Sequence, residues 1–193
     1  DGLTPLVGRE EEIALLLNRW RQALDRDGQV AMLKGEAGVG KSRIIEGFRD
    51  GLGDQDHGII TVSCSPFRTN SAFFPIVACL ERVLRFDPAD PVAVRQQKID
   101  AFVAQAGLAV DDVVPHLEPI LFEAGDRRHV LADASPGERR NLISEALLLL
   151  LEAQSRRHPM VFIVEDGHWI DPSSDEFLAV LVDRAQTLRL MVL

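Results

Sequence analysis

The stretch "GEAGVGKS", residues 35–42, sets three glycines, a lysine and a hydroxyl side chain in the pattern G-x-x-x-x-G-K-S. Each residue type has a physical use at that spacing. Gly35, Gly38 and Gly40 let the backbone curl, so that successive N–H groups, those of Glu36, Ala37 and Val39 among them, converge on one anion. A helix opening near Lys41 and running through Arg43 adds its positive N-terminal end. The Lys41 ammonium then acts as a point charge between two phosphates, and the Ser42 hydroxyl takes one position on Mg²⁺.

A second constellation lies downstream in "VFIVEDGHWIDPSS", residues 161–174, where an apolar run meets Glu165 and Asp166. Acids at the carboxyl end of a buried parallel strand lie where ligands gather in such sheets. Glu165 follows the run directly and is the metal-side acid. Asp166 is the group that orients or deprotonates an attacking water. The register shifted by one, with Asp166 itself on the metal, stays open, because Asp is the usual occupant and Glu is one methylene longer. Asp171 precedes Pro172, Ser173 and Ser174 and reads as a helix N-cap; a direct contact to nucleotide is the competing reading. Trp169 is expected to pack against the following helix, with stacking on a base the competing reading, and His168 lies in the same turn.

Elements that could position these groups are legible around them. Apolar residues at helical spacing predict a helix over 10–24. Short apolar strands are expected at 29–33, 58–64, 160–164 and 188–193. Helices are expected over 41–52, 74–86, 136–156 and from Pro172 to about residue 185. Ser135-Pro136-Gly137-Glu138 has the form of a capping box at the start of the long helix. Strands with continuous apolar runs, alternating with helices, indicate a parallel α/β sheet covered on both faces. The segment between the second and third strands exceeds one crossover helix, so a helical insertion is expected over about 87–133.

Composition narrows the partners. The chain has 193 residues and a formal net charge of -9, which disfavours a broad nucleic-acid or anionic-membrane surface. Cys64 and Cys79 are not in a CxxC pair and are read as reduced thiols. The apolar run at 146–151 is too short to cross a bilayer, and no signal-like segment opens the chain, so a cytoplasmic setting is expected. The start at "DGLTPLVGRE" and the stop inside "LRLMVL" read as a piece of a longer protein.

Taken in order, "LVGREEEIALL", "GEAGVGKS" and "VEDGHWIDPSSDEFL" resemble the AAA-like P-loop ATPase module of the STAND class. Such modules sit in large bacterial signalling proteins, namely cyclase-type proteins with repeat tails and large ATP-binding LuxR-type transcription regulators. The segment "CSPFRTNSAFFPIVACLERVLRF" is most similar to the cyclase-associated members. The resemblance implies that Leu6, Val7, Gly8 and Arg9 border the adenine. It implies a sheet in which the phosphate-loop strand neighbours the fourth strand, then the third, then the second. A fifth strand, a winged-helix domain and a sensor arginine would follow Leu193. Arg68, Arg139 and Arg140 are basic residues near loops or caps, none of them marked as an arginine finger.

The expected function is a regulatory switch domain that binds ATP or ADP with Mg²⁺ and hydrolyses ATP slowly, within a larger signalling protein. Its expected partners are nucleotide, other domains of the same chain and, on nucleotide binding, a second copy of itself. A nucleotide holder without turnover is the alternative. A small-molecule kinase would need an arginine-rich lid, and a DNA-handling ATPase would sit poorly with the net charge.

Overall fold

The computed structural model describes residues 8–36, 38–54, 56–122 and 134–193. Along the chain run α1 (Glu10–Leu24), β1 (Gln29–Val30), α2 (Lys41–Gly51), β2 (Gly58–Ser63), α3 (Phe74–Val83), α4 (Val92–Gln105), α5 (Val110–Leu121), α6 (Pro136–Arg157), β3 (Met160–Glu165), α7 (Pro172–Ala185) and β4 (Leu190–Val192). The four strands form one parallel sheet in the order β1-β4-β3-β2. That is the order implied by the family resemblance.

Side chains on β3 show why its sequence is apolar without interruption. Val161 and Ile163 pack with Ile44 and Phe48 of α2 and with Leu16 and Trp20 of α1. Phe162 faces the other way and joins the core built with α3, α4, α5, α6 and α7. Strand side chains alternate between faces, so a strand buried on both faces must be apolar at every position. Two separate cores result, one on each side of the sheet.

Several element bounds differ from expectation, each for a local reason. β1 pairs only over Gln29–Val30, with one further bond from the Ala31 N–H to the Val192 carbonyl at 2.9 Å. Its partner β4 supplies register partners only through Val192, and Met32 is left 74% exposed. β4 starts late because the Leu188 N–H closes the end of α7 on the Ala185 carbonyl at 2.8 Å. α3 stops at Val83, and Arg85 turns into the left-handed region with φ 53°. Between β2 and β3 the chain carries α4 and α5 as expected; residues 123–133 of that stretch lie outside the described residues.

The long helix α6 opens as its sequence demands. The Ser135 hydroxyl accepts from the Glu138 N–H, and the Glu138 carboxylate accepts from the Ser135 N–H at 2.9 Å. This reciprocal bonding holds the Glu138 carboxyl below its ordinary range. β2 lies at the edge of the sheet, where one arginine, Arg82, meets a backbone carbonyl and another, Arg49, a side chain on one face. Arg49 donates to the Thr61 hydroxyl at 2.7 Å, and Arg82 donates to the Thr61 carbonyl at 2.5 Å.

Candidate functional site

The glycine loop lies between β1 and α2, as its pattern requires. Gly40 is the N-cap of α2 with φ 94°, and Gly38 has φ 82°. A Cβ built at either meets nothing within 4 Å, so the demand for glycine there is conformational rather than steric. Gly35 differs: a Cβ on it would come within 2.7 Å of Val39 Cγ1. The first turn of α2 holds no acidic residue, whereas that of α1 holds Glu10, Glu11 and Glu12. The one helix start that should receive an anion is thus free of like charge. Ala37, Val7 and Leu6 lie outside the described residues.

Lys41 reaches back across the loop. Its Nζ donates to the Gly35 carbonyl at 2.7 Å and to the Glu36 carbonyl at 2.9 Å. Arg9 ties the entry segment to the same loop, donating to the Val39 carbonyl at 3.0 Å and to Glu12 Oε1 at 2.6 Å. That second contact holds the Glu12 carboxyl below its ordinary range. Gly8, with φ 79°, bends the chain just before Arg9 and donates its N–H to Glu10 at 3.2 Å. Ser42 and Arg43 complete the first turn of α2, and Arg43 pairs with Glu46 at 3.4 Å.

The acids lie at the carboxyl end of β3, at the same end of the sheet as the loop because every strand is parallel. Glu165 is the last residue of β3, in register with Ser63, whose hydroxyl donates to Glu165 Oε2 at 3.0 Å. Alternation from Val161 and Ile163 puts Glu165 on the sheet face covered by α2. Thr61 and Ser63 share that face, as the reach of Arg49 from α2 to Thr61 shows. Asp166 has left the strand. It is exposed and left-handed at φ 55°, a conformation that Asp tolerates better than most residues, and its carbonyl accepts from the Trp169 N–H at 2.9 Å. The two acids therefore differ in setting: one is tethered in the sheet and the other stands free of it in the turn.

Asp171 behaves as a cap and does more. It is 1% exposed and accepts from Ser173 N–H at 3.1 Å, Ser174 N–H at 3.0 Å and the Ser174 hydroxyl at 2.6 Å. It also accepts from the Phe73 N–H at 2.9 Å, which pins the start of α3 to the start of α7. Cys64 follows Ser63 and is buried nearby. Burial first, then the Asp171 and Asp166 charges, push its thiol up to about 11, so it is protonated and slow to react at neutral pH.

Other sequence candidates are placed elsewhere. Trp169 is 41% exposed, with the His168 ring 4.9 Å away. Arg68 stacks over Phe74 at 5.2 Å, and Arg140 meets Glu176 at 3.4 Å. The Ser63 contact had no signal in residue spacing, because it depends on how two distant strands align. The Arg9 contact to the loop carbonyl was likewise invisible, although Arg9 itself was marked.

The donor set fits a magnesium nucleotide. The Ser42 hydroxyl and the carboxylates of Glu165 and Asp166 are hard oxygen donors, and among the described residues no cluster of three or more His, Cys, Asp or Glu forms a metal cage. Mg²⁺ is commonly held by one or two carboxylates together with phosphate oxygens rather than by an all-protein site.

A parallel α/β fold with a glycine loop before a helix and an acid-tipped strand one place further into the sheet defines a P-loop nucleotide-binding class. Residues 5–193 match the AAA ATPase domain, and the chain belongs to that family. It is 30% identical over 174 residues to Uncharacterized protein R02095 of Rhizobium meliloti (strain 1021), covering 90% of this chain and 17% of that protein. It is 21% identical over 184 residues to Adenylate cyclase type 10 of Oryctolagus cuniculus, covering 92% of this chain and 11% of that protein. The chain thus spans a small part of the curated relatives it matches. No solved structure matches it. Among the described residues no helix is long and apolar enough to cross a membrane.

Proposed function

We propose that this domain is an ATP-binding, slowly hydrolysing regulatory switch within a larger signalling protein. The observation that carries the reading is that the glycine loop and the acids share the carboxyl end of the sheet, with Glu165 held on the α2 face by Ser63. Backbone N–H groups of Gly35, Glu36, Ala37, Gly38, Val39 and Gly40, with those of Lys41, Ser42 and Arg43, bind the phosphate chain. The Lys41 ammonium neutralises phosphate charge. Val7, Gly8 and Arg9 border the base, and Arg9 couples that border to the loop through Val39. Mg²⁺, when bound, draws charge from the phosphate oxygens; Ser42 and Glu165 are the residues to hold it, with Asp166 the other acid within the set. Asp166 orients the attacking water and accepts its proton.

The setting of the switch rests on the relatives. One of them is named an adenylate cyclase, and both are far longer than this chain. Cyclase-type output or transcriptional regulation, contact with other domains of the same protein, nucleotide-dependent self-association and a cytoplasmic location belong to the proposal. Direct nucleic-acid and membrane contacts do not.

Calorimetry with ATP, with and without Mg²⁺, tests the site. Lys41→Ala should weaken binding by about 30-fold or more, the scale for removing one member of a charged contact. Unchanged affinity would remove Lys41 from the site. Asp166→Asn should keep binding and lose turnover; equal turnover would place the water-activating group elsewhere. The second reading, nucleotide held without turnover, is favoured by Glu165 standing where the shorter Asp is usual.

A further inference from the structure

On the face of the sheet away from the glycine loop lies a cavity of about 80 Å³. Ile60 and Val62 of β2 floor it together with Phe162 of β3. α3 walls one side with Cys79 and Val83, and α6 walls the other with Leu150 and Gln154. Val83 ends α3 and is 41% exposed, so the cavity reaches the surface there. Cys79 is buried, and that burial pushes its thiol above the ordinary range, which leaves it neutral.

We propose that this cavity is a binding site for a small, uncharged, mostly apolar molecule, separate from the nucleotide site. Gln154 supplies the only amide among the lining side chains. A water needs two to four polar partners to be held, so water is a poor occupant. Left empty, the lining forfeits dispersion contacts on its open side. A docked helix or strand is excluded by size: helices pack about 8–10 Å apart, and an apolar cavity of about 150 Å³ takes one benzene ring. At about half that volume, this cavity suits a short aliphatic chain of about four heavy atoms. Its hydrocarbon part would lie on Ile60 and Val62, with one hydrogen-bonding end at Gln154. A charged group would lose its hydration with no opposite charge in the lining to replace it.

Cys79 reports occupancy, because it lines the cavity while Cys64 lies by the acids. Alkylation by N-ethylmaleimide, followed separately at each cysteine by peptide mass mapping, is measured against rising 1-propanol. Saturable protection of Cys79 is expected, about elevenfold at ten times the dissociation constant, with Cys64 unaffected. Propionate should give none. Val83→Trp, a change at the exposed rim, should plug the opening and abolish the saturable effect, with circular dichroism confirming the fold. Absent or non-saturable protection of Cys79 overturns the site. Equal slowing of Cys64, equal protection by the carboxylate, or unchanged protection in a folded Val83→Trp variant overturns it as well.

Discussion

Replacing Asp171 with Ala separates a buried clamp from a ligand contact. The carboxylate is 1% exposed and accepts from three backbone N–H groups, of Phe73, Ser173 and Ser174, and from the Ser174 hydroxyl. Losing the helix cap costs about 1 kcal/mol. Leaving the Phe73 N–H buried without a partner costs about 1–3 kcal/mol more, and the stranded Ser174 hydroxyl about 1 kcal/mol. The expected total is roughly 3–5 kcal/mol, which for a chain of this size lowers Tm by about 10 °C. Asn keeps an acceptor at the Oδ1 position, so Asp171→Asn should cost only about 1 kcal/mol. Urea denaturation of the three proteins gives the values directly. The reasoning fails if Asp171→Ala loses less than about 1 kcal/mol, or if Asn is as damaging as Ala. Loss of ATP affinity at unchanged stability would instead return Asp171 to the nucleotide.

Ser63→Ala removes the hydroxyl that holds Glu165 and should lower kcat about fivefold with KM unchanged, while Ser63→Thr restores it; an unaltered kcat would show the contact to be idle. Cys64 has its folded-state pKa raised to about 11, so the stability it contributes is complete below pH 9 and is lost as pH rises through 11. Urea midpoints should therefore fall over that window in the wild type and fall less in Cys64→Ser; parallel profiles would contradict the assignment.

The places of the glycine loop and of the acid pair in the fold were legible in the sequence for a specific reason. Both depend on backbone path and strand end, which residues 35–42 and 161–166 encode locally through glycine, helix start and apolar run. The Ser135 capping box and the Asp171 cap are local in the same sense, closing within three residues. The bounds of β1 and β4 were less legible, because pairing depends on where the partner strand offers residues.

By itself, then, the sequence determined the nucleotide-binding class, the alternation of strands and helices, and which acids stand at a strand end. Tertiary structure alone decided which acid is tethered. Parallel register sets Ser63, 102 positions away, against Glu165, and strand alternation turns that carboxylate toward α2. The same packing sent Asp171 across to Phe73, 98 positions distant, and left a cavity between α3 and α6. Contacts of that kind follow from how whole elements lie on the sheet, and no spacing within one segment encodes them.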